Sequence, residues 1–234
     1  MLAFQKAVEA GTDGIELDVH STRDGVLVIH HDETLNRTTD GFGRICECSF
    51  GDLYSLNAAA RFRKGYPRQQ IPRLEEYCEW VREQHVQTNL EIKNDMVFYP
   101  SIEENVWRML EKYGITDRVM ISSFNHITLK KLKEIAPEAR VGALVLPEWG
   151  VKVRPGAYCA EAGFEAYHPS WEHLDQEAVQ DCRLHHIEVN VWTVNEPMKV
   201  DQLYSWGCDG VITNYPEMVR KRIQNQAQKD DSVF

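Results

Sequence analysis

The chain has 234 residues, 43% of them hydrophobic, and a formal net charge of −10. That is enough for one large domain with a substantial core, since an α/β barrel runs to about 250 residues. The acidic balance argues against binding nucleic acid or an anionic membrane through the overall field, no apolar run approaches the ~20 residues of a membrane helix, and no signal peptide is visible at the start.

In chain order, the pattern predicts a short amphipathic helix over Leu2–Ala10, stopped by Gly11. Gly14–Asp32 then reads as two strands around a turn. Ile15, Leu17 and Val19 alternate with Glu16, Asp18 and His20, while Val26–Ile29 is a β-branched-rich run. Asp24-Gly25 is a strong hairpin signal. With those two residues as the loop, Arg23 pairs with Val26 and Asp18 sits opposite His31, so Glu16, Asp18 and His31 share a face. A loop longer by one residue places His30 and Asp32 on that face instead. His20 is expected to be exposed.

Asp32–Gln70 is turn-rich, with one short helix near Phe50–Leu56, and reads as an insertion. Arg37, Arg61, Arg63 and Lys64 suit either a solvated basic face or the guidance of an anion. Beyond Pro72, strands and helices alternate. Strands are predicted at Leu90–Ile92, Val119–Ser123, Val141–Leu146, Glu165–His168, Val189–Val194 and Gly210–Thr213. Helices are predicted at Leu74–Gln84, Ile102–Tyr113, Ile127–Ile135, Pro155–Ala162, Leu174–His185, Met198–Trp206 and Glu217–Ile223. The expected organisation is a single domain over residues 1–223, with an insertion at about 33–70 and a loose polar tail at 224–234.

With Gly14–Val19, these strands make seven βα units, one short of a closed eight, and no Gly-rich phosphate loop follows any of them. The reading is therefore an α/β chain of the TIM (β/α)8 type whose first strand is absent from the sequence. Six cysteines are spread along the chain, with Cys46 and Cys48 as the close pair, which suits buried thiols in a reducing cytoplasm. A second strand ending in charge, T-N-L-E-I-K, carries Glu91 and Lys93. Alternating acids are the ordinary solvated face of a strand. Two strands that both end in carboxylates fit a shared divalent-metal site, because hard cations take several oxygen ligands.

At these residues the chain resembles the glycerophosphodiester phosphodiesterases. The matching motifs are I-E-L-D-V (15–19), T-R-D-G (22–25), H-D (31–32), L-N-R-T-T (35–39) and L-E-I-K (90–93). Weaker matches are I-P-R-L-E-E (71–76), S-S-F (122–124), V-W-T-V-N (191–195) and D-G-V-I-T-N-Y-P (209–216). The family opens with an H-R-G strand that this sequence does not contain, and Asn214 stands where many members carry Asp. The resemblance implies metal-dependent hydrolysis of a glycerophosphodiester to glycerol 3-phosphate and an alcohol. It implies Glu16, Asp18 and Glu91 as ligands of Mg²⁺ or Ca²⁺, and Lys93 on the phosphate. His31 is implied as general acid or base, and Phe124 and Trp192 as apolar substrate walls. His168 suits either substrate contact or a structural hydrogen bond. The alternatives are an impaired or non-catalytic relative that keeps the metal site, and a metal-dependent barrel enzyme such as a sugar isomerase. A barrel lacking one strand is expected to expose two sheet edges, to self-associate through that seam and to be weakly active.

Overall fold

The computed structural model describes residues 1–146 and 154–231. They fall into two compact units, one formed by Met1–Lys6 with Asp13–Ala139, the other by Ala7–Thr12 with the residues from Arg140 onward. After α1 (Leu2–Glu9), the first unit runs β1 (Gly14–Ser21), β2 (Leu27–Ile29), α2 (Phe50–Tyr54), α3 (Leu74–Val81), β3 (Gln87–Ile92), α4 (Ile102–Tyr113), β4 (Val119–Ser123) and α5 (His126–Ile135). Its sheet has the order β2-β1-β3-β4, with β2 antiparallel to β1 and the others parallel. Ile15, Leu17 and Val19 are buried, as are Leu74, Tyr77, Cys78 and Val81 of α3 and Ile102, Val106 and Leu110 of α4. Each such side chain stabilises the fold by roughly 1.5–3 kcal/mol. The insertion builds a small core of its own, in which Leu35, Ile45, Leu53 and Ile71 pack with Val28.

The second unit runs β5 (Arg140–Val145), α6 (Pro155–Ala162), β6 (Ala166–Pro169), α7 (Gln176–Leu184), β7 (Glu188–Val191), α8 (Pro197–Trp206), β8 (Gly210–Val211) and α9 (Pro216–Asp231). Its strands pair in the order β5-β6-β7-β8, all parallel. Helices α6 and α7 touch closely. A Cβ on Gly156 would lie 2.2 Å from the Asp181 carbonyl oxygen. Asp181 accepts from the Gly156 and Ala157 N–H groups at 2.9 and 3.2 Å, supplying the start of α6 with a cap from its neighbour.

Several expectations are corrected. The hairpin pairs Val19 with Ile29 and His20 with Val28, which sets Asp18 opposite His30 rather than His31. The loop is longer by one residue because the Thr22 N–H bonds to the Val26 carbonyl at 3.0 Å, leaving Arg23, Asp24 and Gly25 outside the ladder. Gly25 takes the left-handed conformation, φ 81°, that a three-residue loop of this kind needs. His20 is fully buried, not exposed. Finally, α9 continues to Asp231, so residues 224–231 are helical rather than a loose tail. Strand β7 stops at Val191, short of the expected Val194, as Trp192 bridges to Ser170. Among the described residues no helix is long and apolar enough to cross a membrane.

Candidate active site

Parallel pairing of β1 with β3 sets Asp18 beside Glu91. Alternation sends Ile15, Leu17 and Val19 to one face of the sheet and Glu16 and Asp18 to the other. The carboxylate oxygens of Glu16, Asp18 and Glu91 offer one ligand atom each, all within 4.8 Å of one another. Lys93 Nζ stands 2.8 Å from Glu91 Oε1 and 3.7 Å from Asp18 Oδ1. The closer contact is a buried ion pair.

Burial and like charge work together here. Burial, then repulsion from Asp18 and Glu91, raises the Glu16 carboxyl well above its ordinary value. Burial pushes Asp18 up to about 6 and Glu91 up to about 7, against the pull of Lys93. Burial works against the Lys93 ammonium, yet Glu91 and Asp18 outweigh it and hold that group above its usual range. The cluster is short of positive charge.

Past the end of β2 the chain leaves the ladder, so strand alternation no longer decides where His31 points. His30 is buried, with Nδ1 2.8 Å from the Asp32 carbonyl and Nε2 2.9 Å from Thr38 Oγ1. The His31 side chain is 68% exposed, and its Nδ1 lies 2.6 Å from Asp32 Oδ1. Arg37 in turn grips both oxygens of Asp32, at 2.7 Å each. That guanidinium, ahead of the opposing effect of burial, holds the Asp32 carboxyl well below the usual carboxylate range. His20 Nδ1 lies 3.0 Å from the Tyr99 hydroxyl, and burial pushes its imidazole down to about 4.

Phe124 directly follows β4, and Lys93 Nζ lies 5.8 Å from the centre of its ring. Trp192 belongs to the second unit, where its indole N–H donates to the His168 carbonyl at 2.8 Å. His168 is buried, with Nε2 3.1 Å from Asn190 Nδ2, and burial pushes it down to about 4. Glu16, Asp18, Glu91, Lys93, Phe124 and His31 thus all belong to the first unit, and Trp192 to the second.

The model of the glycerophosphoryl diester phosphodiesterase family matches residues 1–218. The chain belongs to that family. A glycerophosphodiester phosphodiesterase from Caldanaerobacter subterraneus subsp. tengcongensis is 36% identical over 227 residues, covering 94% of this chain and 90% of the relative. One from Bacillus altitudinis is 33% identical, again covering 94% of this chain and 90% of its own. Among solved structures, a phosphodiesterase from Oleispira antarctica, in complex with the product sn-glycerol-3-phosphate, is 27% identical with a TM-score of 0.82, over 94% of this chain and 88% of that one. A structure from Silicibacter pomeroyi reaches a TM-score of 0.87 over 96% of this chain and 87% of that chain, at 22% identity, and shows the fold alone. The chain is therefore an enzyme of a phosphodiesterase family, with the α/β fold of the TIM-barrel class.

Sequence reasoning missed two members of the first unit's charged face. Asp32 entered only through the H-D motif and the alternative hairpin register, and Arg37 only as a solvated or anion-guiding basic residue, with no link from either to the His31 ring. The signal that would have found them is a carboxylate next to His31 with an arginine five positions later in a turn-rich stretch. Tyr99, the partner of His20, is too remote in sequence for any local pattern to reveal.

Proposed function

We propose that this chain hydrolyses a glycerophosphodiester to glycerol 3-phosphate and an alcohol, with a divalent cation held by Glu16, Asp18 and Glu91. The observation that carries this reading is the convergence of three carboxylates and one lysine on one sheet face, in a chain of a phosphodiesterase family. The residues fit such a cation. Their donors are all hard oxygens within 4.8 Å of one another, all three carboxyls are raised by burial, and three carboxylates stand against the single ammonium of Lys93. Mg²⁺ and Ca²⁺ both suit this donor set. When bound, either supplies Lewis-acid polarisation of a phosphoryl oxygen.

The chain's own residues divide the remaining work. Lys93 adds a compact positive charge for a non-bridging phosphate oxygen. Phe124 lies against Lys93 and offers an apolar wall to the carbon skeleton of the substrate. His31 moves a proton as general acid or base, using the ring nitrogen not directed at Asp32. The names of the relatives and the product held in the Oleispira antarctica structure support the substrate class.

The test is release of glycerol 3-phosphate from a glycerophosphodiester, with chelator and with Mg²⁺ or Ca²⁺ restored. Chelation should abolish release and either ion should restore it. His31→Ala should lower turnover by about 10²–10⁴-fold, and Glu91→Gln should abolish calorimetric cation binding. Unchanged cation binding in both Glu16→Gln and Glu91→Gln would remove the shared site. Cation binding without any release would make the chain a non-catalytic member of the family.

A further inference from the structure

The group formed by His31, Asp32 and Arg37 has a defined internal order. Asp32 Oδ1 meets both His31 Nδ1, at 2.6 Å, and Arg37 Nη2, at 2.7 Å, while Arg37 Nε donates to Oδ2 at 2.7 Å. Arg37 Nη2 also stands 3.5 Å from His31 Nδ1. A guanidinium only donates and an ionised carboxylate only accepts. The ring nitrogen between them must therefore carry its hydrogen and give it to Asp32, which leaves the lone pair of the neutral ring on Nε2.

Arg37 is held from below. Leu35 is buried in the insertion's core, and the Thr39 hydroxyl and N–H both donate to its carbonyl, at 2.7 and 3.1 Å, closing the turn that carries Arg37. His31 has no such burial. Its side chain is largely in solvent, so its orientation rests on Asp32.

We propose that Asp32 and Arg37 are positioning residues for His31: Asp32 selects the tautomer and aims Nε2, and Arg37 fixes Asp32 and offsets part of its charge. This extends the assignment of His31 as general acid or base and rests on it. The two partners act on the imidazole with opposite sign. A carboxylate favours imidazolium, and a neighbouring guanidinium disfavours it. His20 and His30, which also interact with the charge of His31, are both disfavoured as cations by burial. The ionised groups against its Nδ1 are Asp32 and Arg37.

A plain surface ion pair that pins the turn would change stability alone. The proposal instead requires opposite shifts. NMR titration of the histidine rings of the whole chain, with His31 assigned from His31→Ala, reads both tautomer and midpoint without needing turnover. Asp32→Asn should lower the His31 midpoint and admit the other tautomer. Arg37→Gln should raise the midpoint and keep the tautomer. Asp32→Glu should restore most of the wild-type behaviour. In the assay, Asp32→Asn should lower kcat about tenfold or more with little change in KM, and the limb of the pH–rate profile should follow the NMR midpoint in each variant. An unchanged His31 midpoint and tautomer in both Asp32→Asn and Arg37→Gln, with melting confirming that both are folded, would overturn the proposal. If the opposite shifts appear but no glycerol 3-phosphate is released by the wild type, the positioning stands and the phosphodiesterase reading falls.

Discussion

The residues that sort into ligand, acid–base and wall roles differ in how far their neighbours have moved their chemistry. Asp18 and Glu91 are raised from 3.8 and 4.5 to about 6 and about 7 by burial. A carboxyl raised on folding contributes stability that is complete below its unfolded value and is lost as pH rises through its folded value. The metal-free chain should therefore lose melting temperature between about pH 4 and pH 7 through these two groups. A divalent cation should restore it, and restore more at pH 8 than at pH 5, because protonated carboxyls must release protons to bind. Each kcal/mol recovered is worth about 2–4 °C in a chain of this size. Thermal melts with chelator and with Mg²⁺ or Ca²⁺ at the two pH values check this. A cation effect that is equal or larger at pH 5 would argue against Glu16, Asp18 and Glu91 as its ligands. The residue types were legible in the sequence because Glu16, Asp18, Glu91 and Lys93 break apolar strands at fixed positions. The burial of His20 was not, because it depends on Tyr99, supplied from beyond β3.

At the scale of elements, legibility followed periodicity. Strand β4 and helices α4 and α6 stand over the residues that their patterns predict, since apolar period and boundary residues agree there. The hairpin register was less legible. Asp24-Gly25 serves a loop of two residues or of three, and the choice fell to Thr22, whose hydroxyl donates to Asp24 Oδ1 at 2.6 Å and whose backbone N–H pairs with Val26. The end of α9 was missed because a polar sequence such as Gln224-Asn225-Gln226 carries no apolar stripe to mark a helix. Helix α6 offers a direct test of close packing. Gly156→Ala would press a methyl group onto the Asp181 carbonyl and disturb the two N–H bonds that Asp181 accepts. It should destabilise the chain by about 1–3 kcal/mol, the usual cost of overpacking. Denaturant unfolding measures this, and an unchanged midpoint would mean that α6 and α7 can move apart freely.

For the molecule as a whole, the cysteines give a test that does not depend on the active site. All six are free thiols, and burial pushes Cys78, Cys159, Cys182 and Cys208 up to about 12. Thiolate is the reactive form, and Cys78, Cys159 and Cys182 are buried whereas Cys46, Cys48 and Cys208 are partly exposed, so at pH 8 a thiol reagent should reach no more than the latter three in the native chain and the buried three on denaturation. A fourth fast thiol in the native chain would mean that one of the three buried sites opens readily. The placement of Asp18 beside Glu91 has a further consequence, in time rather than in space. The hairpin, the insertion and α3 all lie between these two carboxylates along the chain, and a long loop must close before they meet. Half of the candidate cation site therefore does not exist until β1 and β3 have found each other, and an unfolded chain has little to offer the ion. A divalent cation should then act as a latch fastened after the event: it should slow unfolding while leaving the refolding rate nearly unchanged, a difference that stopped-flow chevrons with and without Mg²⁺ or Ca²⁺ would show.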